Sequence, residues 1–523
     1  MGSRGRWSGL SCLVTCLGAF LWGCDTAGEP SQLALNPEPK GPLNVLFIVA
    51  DDLNCALGAY GDSVVHTPNM DRLASEGTVF LNAHCQYPHC GPSRASFMTG
   101  LYADQTHIRK NNIYLRSALP DVVTLSQRFR QRGYEAVRIG KIFHYDNPGT
   151  IGTSGIDDRH SWDRTINPYG REKREEYRIH TLKPRRYGGV LSWLAMEGED
   201  EEQTDGIGAT EACEALDAFA KSGDPFFLAL GFYRPHVPFA APAKYFDALD
   251  REAMVVPPAH DDLLPSLPEP AQRSIRSMQV QVGLSEDVSQ EIIEAYRATV
   301  SFVDAQLGRV LDQLESSGLA QNTLVVFFSD HGFHLGEHGH WQKQTLFEPS
   351  TRVPLIIRAP SSVSNSGANA APVELVDLYP TVADFAGVEV PEYVRGMSLR
   401  GLMEQEVDTV RGSALTVWRK GKSIATGRYR YTAWGEEGEL GQELYDHQSD
   451  PEELVNLADA ADKVQLKDSL EAVLARRWRA ASVAPEGIGR QITNPPVAEK
   501  TPHITRGDLY HIDGSVEKLR LDQ

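Results

Sequence analysis

The segment Cys90-Gly91-Pro92-Ser93-Arg94 concentrates more reactive chemistry than any other stretch of this chain. Pro92 suits the first turn of a helix, so the spacing predicts a helix that opens near Cys90. The free N–H groups and dipole of such a helix face whatever anion the Cys90 side chain meets. Gly91 lets the backbone come close, and Arg94, one turn on, carries a planar fork able to hold two anionic oxygens. A lone cysteine is most often a buried packing group. With these four neighbours it reads as part of an anion site.

Asp51, Asp52 and Asp330 add hard oxygen ligands, and Asp330 has His331 beside it. Three carboxylates suit Ca2+ or Mg2+, whereas zinc brings more nitrogen or sulfur. Lys141, Lys343 and Arg94 are candidate partners for the oxygens of a bound anion, and His144 and His236 for proton transfer. Singly, a lysine is normally a solvated surface group and a histidine an ordinary hydrogen-bonding one. The run His331, His334, His338, His340 contains no H-E-x-x-H helix, and glycines interrupt it. His334 and His340 read as local variation, and His338 as a residue that orients the site from behind.

The elements that must carry these side chains are strands. Residues 44–50 form an apolar run that ends in Asp51-Asp52; 136–140 run into Lys141 and His144; 225–231 lead to Arg234-Pro235-His236; 323–329 end in Asp330-His331. Apolar strands alternating with amphipathic helices mark a largely parallel α/β sheet, and the carboxyl ends of such strands line the ligand crevice. Helix caps and turns account for one such carboxylate, not for four strand ends together. Residues 289–317 repeat apolar side chains at helical spacing and stop at Gly318, which reads as packing. Residues 145–205 read as an irregular insertion over the pocket, with Arg185 and Arg186 its candidate substrate contacts. After about residue 405 a smaller α+β unit follows, with strand-like 422–434, a turn at 443–451 and a last large helix at 461–480.

Bulk properties bound the function. A chain of 523 residues buries a sizeable core. Its formal charge of −19 excludes general nucleic-acid binding, yet a local cationic pocket still attracts a small anion. Arg4 and Arg6 precede a short apolar run, the pattern of an export signal. Leu21-Trp22-Gly23-Cys24 is similar to a bacterial lipoprotein cleavage box, with Cys24 the lipidated residue; an ordinary cleaved signal and an uncleaved anchor stay open. The expected organisation is a signal over 1–24, a tether over 25–41, a catalytic domain over 42–405 and a smaller unit over 406–523. The protein is expected to be exported, periplasmic or anchored to a membrane through Cys24. Cys55, Cys85 and Cys213 read as buried thiols, one disulfide among them left open.

The string C-x-P-S-R at 90–94 resembles the signature of the type I sulfatases of the alkaline-phosphatase superfamily. Ala50-Asp51-Asp52-Leu53, Gly140-Lys141-Ile142-Phe143-His144, Pro235-His236-Val237-Pro238-Phe239 and Ser329-Asp330-His331-Gly332 extend the likeness. The Lys141-to-His144 spacing and His331 are similar to the iduronate-2-sulfatase branch. The resemblance implies an alkaline-phosphatase-like, mostly parallel sheet flanked by helices. It implies that a formylglycine-generating enzyme oxidises Cys90 to formylglycine, and that Asp51, Asp52, residue 90, Asp330 and His331 bind one Ca2+. Lys141, Lys343 and Arg94 would then hold sulfate, His236 or Lys343 would protonate the leaving alcohol, and His144 would deprotonate the hydrated aldehyde. The implied substrate is a sulfated saccharide. The 145–205 insertion, the shorter C-terminal region and Cys55 depart from that branch. Two other readings stand beside it: a phosphatase or phosphodiesterase on the same scaffold, and a non-catalytic protein that binds sulfated glycans.

Overall fold

The computed structural model describes residues 41–184, 186–260, 263–360 and 366–499, with the short strands Leu509–Tyr510 and Val516–Glu517. The expected signal over 1–24, nearly all of the tether, and Arg185 lie outside the described residues. In chain order the main body is built from β1 (Asn44–Asp51), β2 (Thr78–Phe80), α1 (Cys90–Thr99), β3 (Glu135–Gly140) and β4 (Arg164–Ile166). It continues through α2 (Thr204–Ser222), β5 (Phe226–Pro235), α3 (Glu286–Ser316), β6 (Thr323–Ser329), β7 (Leu355–Arg358), β8 (Gly367–Asn369) and α4 (Leu378–Phe385).

The eight strands form one sheet in the order β8-β2-β7-β6-β1-β5-β3-β4. From β6 to β4 all neighbours run parallel; β7 is antiparallel to β6, and β2 to β7. The sheet is therefore mostly parallel, as expected, with an antiparallel flank. β1 sits at its centre and is apolar on both faces because helices cover both. Val45, Phe47 and Val49 enter a core shared with α1 and α4, while Leu46, Ile48 and Ala50 enter one shared with α2 and α3. Phe47 meets Phe328 edge-on at 5.0 Å, and Phe328 meets Phe97 of α1 at 5.0 Å. These contacts seat the start of α1 over the ends of β1 and β6.

Register does the positioning. Ala50 pairs with Ser329, so Asp51 and Asp330 leave adjacent strands side by side. On the other flank the β1–β5 pairing shifts after Ala50 and sets Asp51 opposite Pro235, next to His236. α3 starts at Glu286, a turn earlier than the apolar pattern alone predicts, because Ser285 caps it and Glu286 and Asp287 suit its positive end.

A second sheet is a plain antiparallel meander of β9 (Ala414–Trp418), β10 (Gly421–Ala425), β11 (Tyr429–Trp434) and β12 (Gly441–Asp446), backed by α5 (Val464–Ser482). Two expectations need correction. The 145–205 stretch is not wholly irregular: β4 adds an edge strand to the main sheet, and Ser192–Met196 pairs with Phe239–Pro242. Cys55, Cys85 and Cys213 are free thiols, and Cys55 and Cys213 are only half-buried. Among the described residues no helix is long and apolar enough to cross a membrane.

Candidate active site

Cys90 is the first residue of α1, with His89 as its extended N-cap. The Gly91 N–H donates to Asn111 Oδ1 at 2.8 Å, and a Cβ on Gly91 would stand 2.8 Å from the Asn111 backbone, so only glycine fits. The Cys90 Sγ lies 3.2 Å from His331 Nε2 and 4.0 Å from Asp52 Oδ1. Burial pushes its thiol well above the usual pKa.

The carboxylates beneath it are wholly buried and paired. Lys141 Nζ donates to Asp51. Lys343 Nζ donates to both oxygens of Asp52, at 2.5 and 2.6 Å. Arg94 reaches Asp330 Oδ2 at 2.8 Å through Nε and Asp51 Oδ1 at 2.9 Å through Nη2, while its Nη1 donates to the carbonyls of Lys141 and Ile142. Burial works against ionised Asp51, but the Lys141 and Arg94 charges hold its carboxyl well below the usual range. Asp52 is pushed the other way, by burial and by Asp51 and Asp330 close by, against the pull of Lys343.

Two histidine tautomers follow from backbone contacts. His331 donates Nδ1–H to the Gly332 carbonyl at 2.9 Å, and His236 donates its Nδ1–H to the Val237 carbonyl at 2.6 Å. His331 Nε2 lies 3.4 Å from Asp52 Oδ1, and the Nε2 of His236 lies 3.8 Å from Asp52 Oδ2. His144 is buried, and its Nδ1 has no hydrogen-bond partner among the described residues. Burial first, then nearby lysine charge, holds both His144 and His236 well below the usual histidine pKa, so both are neutral bases.

The donor set suits a hard dication. Donor atoms of Asp51, Asp52, Cys90 and His236 lie within 4.8 Å of one another, as do those of Cys90, Asp330 and His331. Three buried carboxylates plus an imidazole lone pair match a Ca2+ or Mg2+ site better than a zinc site. Asp51, Asp52, Cys90, Arg94, Lys141, His144, His236, Asp330, His331 and Lys343 all meet here, though not always in the expected way. Arg94 is fully buried and its guanidinium is spent on Asp51, Asp330 and two carbonyls, so it braces the carboxylates rather than facing a bound anion. His338 does not orient the site: it stacks on Phe347 at 4.2 Å and meets the Glu453 carbonyl. His334 is held by Thr345, whereas His340 bridges the Ile275 carbonyl, 65 residues away, and the Lys343 carbonyl and lines the same cavity as Lys343.

Sequence reasoning missed the supports. Asp52 takes the left-handed φ of +67°, costly for a non-glycine residue. Tyr296 of α3 holds that turn by donating its hydroxyl to the Asp52 carbonyl at 2.9 Å and accepting from the Asn54 N–H at 2.8 Å. The helix read as packing alone thus also shapes the site, from more than 200 residues away in sequence. Gln342 and Gln344, on either side of Lys343, also take left-handed φ values of +80° and +79°. Over the site opens a cavity of about 600 Å³, whose wall includes His144, His236 and Lys343. Cys55 instead lines a separate cavity of about 350 Å³ with Phe333 and Arg352.

Comparison with known proteins decides the family. The sulfatase family model matches residues 43–388. This chain belongs to the sulfatase family. A second model, of the N-sulphoglucosamine sulphohydrolase C-terminal region, matches 336–480. A sulfatase of Formosa agariphila is 35% identical over 447 residues, covering 83% of this chain and 85% of that protein. Iduronate 2-sulfatase of Homo sapiens is 34% identical over 396 residues, covering 67% of this chain and 70% of its own. In structure, the phosphonate monoester hydrolase of Agrobacterium radiobacter superposes with a TM-score of 0.71 at 22% identity, covering 84% of this chain and 96% of that one, a likeness of fold. The sulfatase is thus a hydrolase of sulfate esters on an alkaline-phosphatase-like fold.

Proposed function

We propose that this sulfatase removes sulfate from a sulfated saccharide of the iduronate 2-sulfate kind, with residue 90 as nucleophile after its oxidation to formylglycine. The observation that carries the reading is the meeting of Cys90, at the mouth of α1, with Asp51, Asp52, Asp330 and His331 beneath a cavity walled by His144, His236 and Lys343. Asp51, Asp52, residue 90, Asp330 and His331 would hold a Ca2+ ion, which when bound neutralises the carboxylates and polarises sulfate oxygens.

The rest is the work of the chain. The aldehyde of residue 90 takes up water to give a gem-diol. One hydroxyl gives its proton to the Asp52 carboxylate, whose Oδ1 lies 4.0 Å from the Cys90 Sγ, and its oxygen bonds to sulfur as the bond from sulfur to the sugar oxygen breaks. The sugar oxygen takes a proton, and Asp52 returns the proton it gained to the paired donor. Lys343 is the better donor, because the only N–H of neutral His236 is committed to the Val237 carbonyl. His144, neutral and with Nδ1 unpartnered among the described residues, then takes the proton of the second hydroxyl. The carbonyl reforms as the carbon–oxygen bond to sulfate breaks. Two easier steps replace one difficult hydrolysis.

We place the enzyme outside the cytoplasm, a reading that rests on the arginine-flanked apolar N-terminal segment and the box ending in Cys24. The catalytic proposal is tested by incubating the protein with 2-sulfated uronate, N-sulfated and 6-sulfated hexosamine, and sulfated neutral sugars. Sulfate release from a saccharide, lost in Cys90→Ala, is the expected result. Release that survives Cys90→Ala unchanged overturns the assigned nucleophile.

A further inference from the structure

The catalytic cations are internally matched: Lys141, Lys343 and Arg94 are each bonded to Asp51, Asp52 or Asp330. Higher in the same cavity the balance changes. Arg186, from the 145–205 stretch, and Arg419, in the turn between β9 and β10, both line the wall and are exposed. Neither guanidinium pairs with a carboxylate among the described residues, although other exposed arginines of this acidic chain do, as Arg132 does with Glu389 and Arg428 with Asp446. Asp146 is the one carboxylate among the lining residues.

Arg419 is also set in place. Its backbone takes a left-handed φ of +52°, and its guanidinium lies 5.2 Å from the Trp418 ring centre. Trp418 in turn packs edge-on against Tyr87 at 5.1 Å and His89 at 6.0 Å, the residue just before Cys90. An aromatic shelf therefore connects this cation to the start of α1. A cavity of about 600 Å³ has room for far more than one sulfate group. A guanidinium fork suits a planar or tetrahedral oxyanion.

We infer that Arg186 and Arg419 form a subsite for a second anionic group on the substrate, separate from the sulfate ester that is cut. The group is an oxyanion on the same or the adjoining sugar, either a uronate carboxylate or a further sulfate. The inference rests on the sulfatase reading and adds to it the substrate's second charge.

The test reads binding apart from turnover. Calorimetry on Cys90→Ala protein compares three probes with one sulfate ester each in common: a neutral hexose monosulfate, a sulfated uronate, and a disulfated hexose. The subsite predicts that at least one doubly charged probe binds about tenfold more tightly than the neutral-sugar probe. Adding Arg186→Gln or Arg419→Gln should shrink that advantage, and the double variant should remove it, with the lysine variants in between. Whichever of the uronate and disulfate advantages collapses identifies the group recognised. Equal affinity for all three probes, or variants that weaken all three alike, overturns the subsite. Turnover of wild-type protein on the same probes separates the two proposals: no release from any of them counts against the hydrolytic reading, while the binding ratios still judge the arginines.

Discussion

Two buried ion-pair networks of similar composition stand in this molecule, and they do different work. In the first, Asp51, Asp52 and Asp330 face Arg94, Lys141 and Lys343. In the second, Glu374 and Asp377 face Arg411 and Arg477, with Tyr102 donating to Glu374 at 2.6 Å. The second is closed. Arg411 clamps both carboxylates, and the Leu415 and Met397 N–H groups take further lone pairs at 2.6 and 2.7 Å, which ties β9 and the approach to α4 together. The first uses two lysines, compact point charges, and opens on a cavity with neutral histidines in its wall. Burial of charge alone does not mark an active site; lone pairs left facing open space do.

That contrast can be broken by experiment. The largest effect belongs to Cys90→Ala, which should lower sulfate release by at least about 10⁴-fold while thermal melting shows an intact fold. Next, Arg411→Met should destabilise the protein by about 3–5 kcal/mol in denaturant titration, since it leaves the buried Asp377 carboxylate without a cation and takes one of two from Glu374, with activity per folded molecule little changed. Lys343→Met should do the reverse: kcat falls by about 10²–10³-fold with a smaller loss of stability. If Arg411→Met lowered kcat without destabilising, the distinction between the two networks would fail.

A smaller, pH-dependent effect lies in the second sheet. Burial pushes Glu443 up to about 7, against donors from Trp434 and Tyr445. The folded state then keeps this proton to higher pH than the unfolded chain does. Raising the pH from about 4 to 7 therefore costs stability, by up to about 3 kcal/mol, and the loss persists above 7. Glu443→Gln should flatten that slope between pH 5 and 8 in thermal melting; an unaltered slope would remove Glu443 as its source.

Much of the site was legible because a parallel sheet gathers its strand ends. The runs before Asp51, His236 and Asp330 are long and apolar, that before Lys141 is shorter and broken by Arg138, and their register brings those residues together. What escaped notice depended on partners far apart in sequence. Arg94 looks like an anion-binding fork until its carboxylate partners are placed; Tyr296 looks like core until its hydroxyl reaches the Asp52 turn. Arg419 belongs to another sheet and has no motif around it. The short strands β2, β7 and β8 carry too few residues to show a period, and β4 is largely exposed.

The central claim is that residue 90, as formylglycine, carries sulfate ester hydrolysis, and mass spectrometry of the peptide spanning it, run alongside sulfate release on the same preparations, tests it most directly. The account predicts an aldehyde at residue 90 whose fraction scales with the rate across preparations. Full activity from protein in which residue 90 is entirely thiol would contradict it.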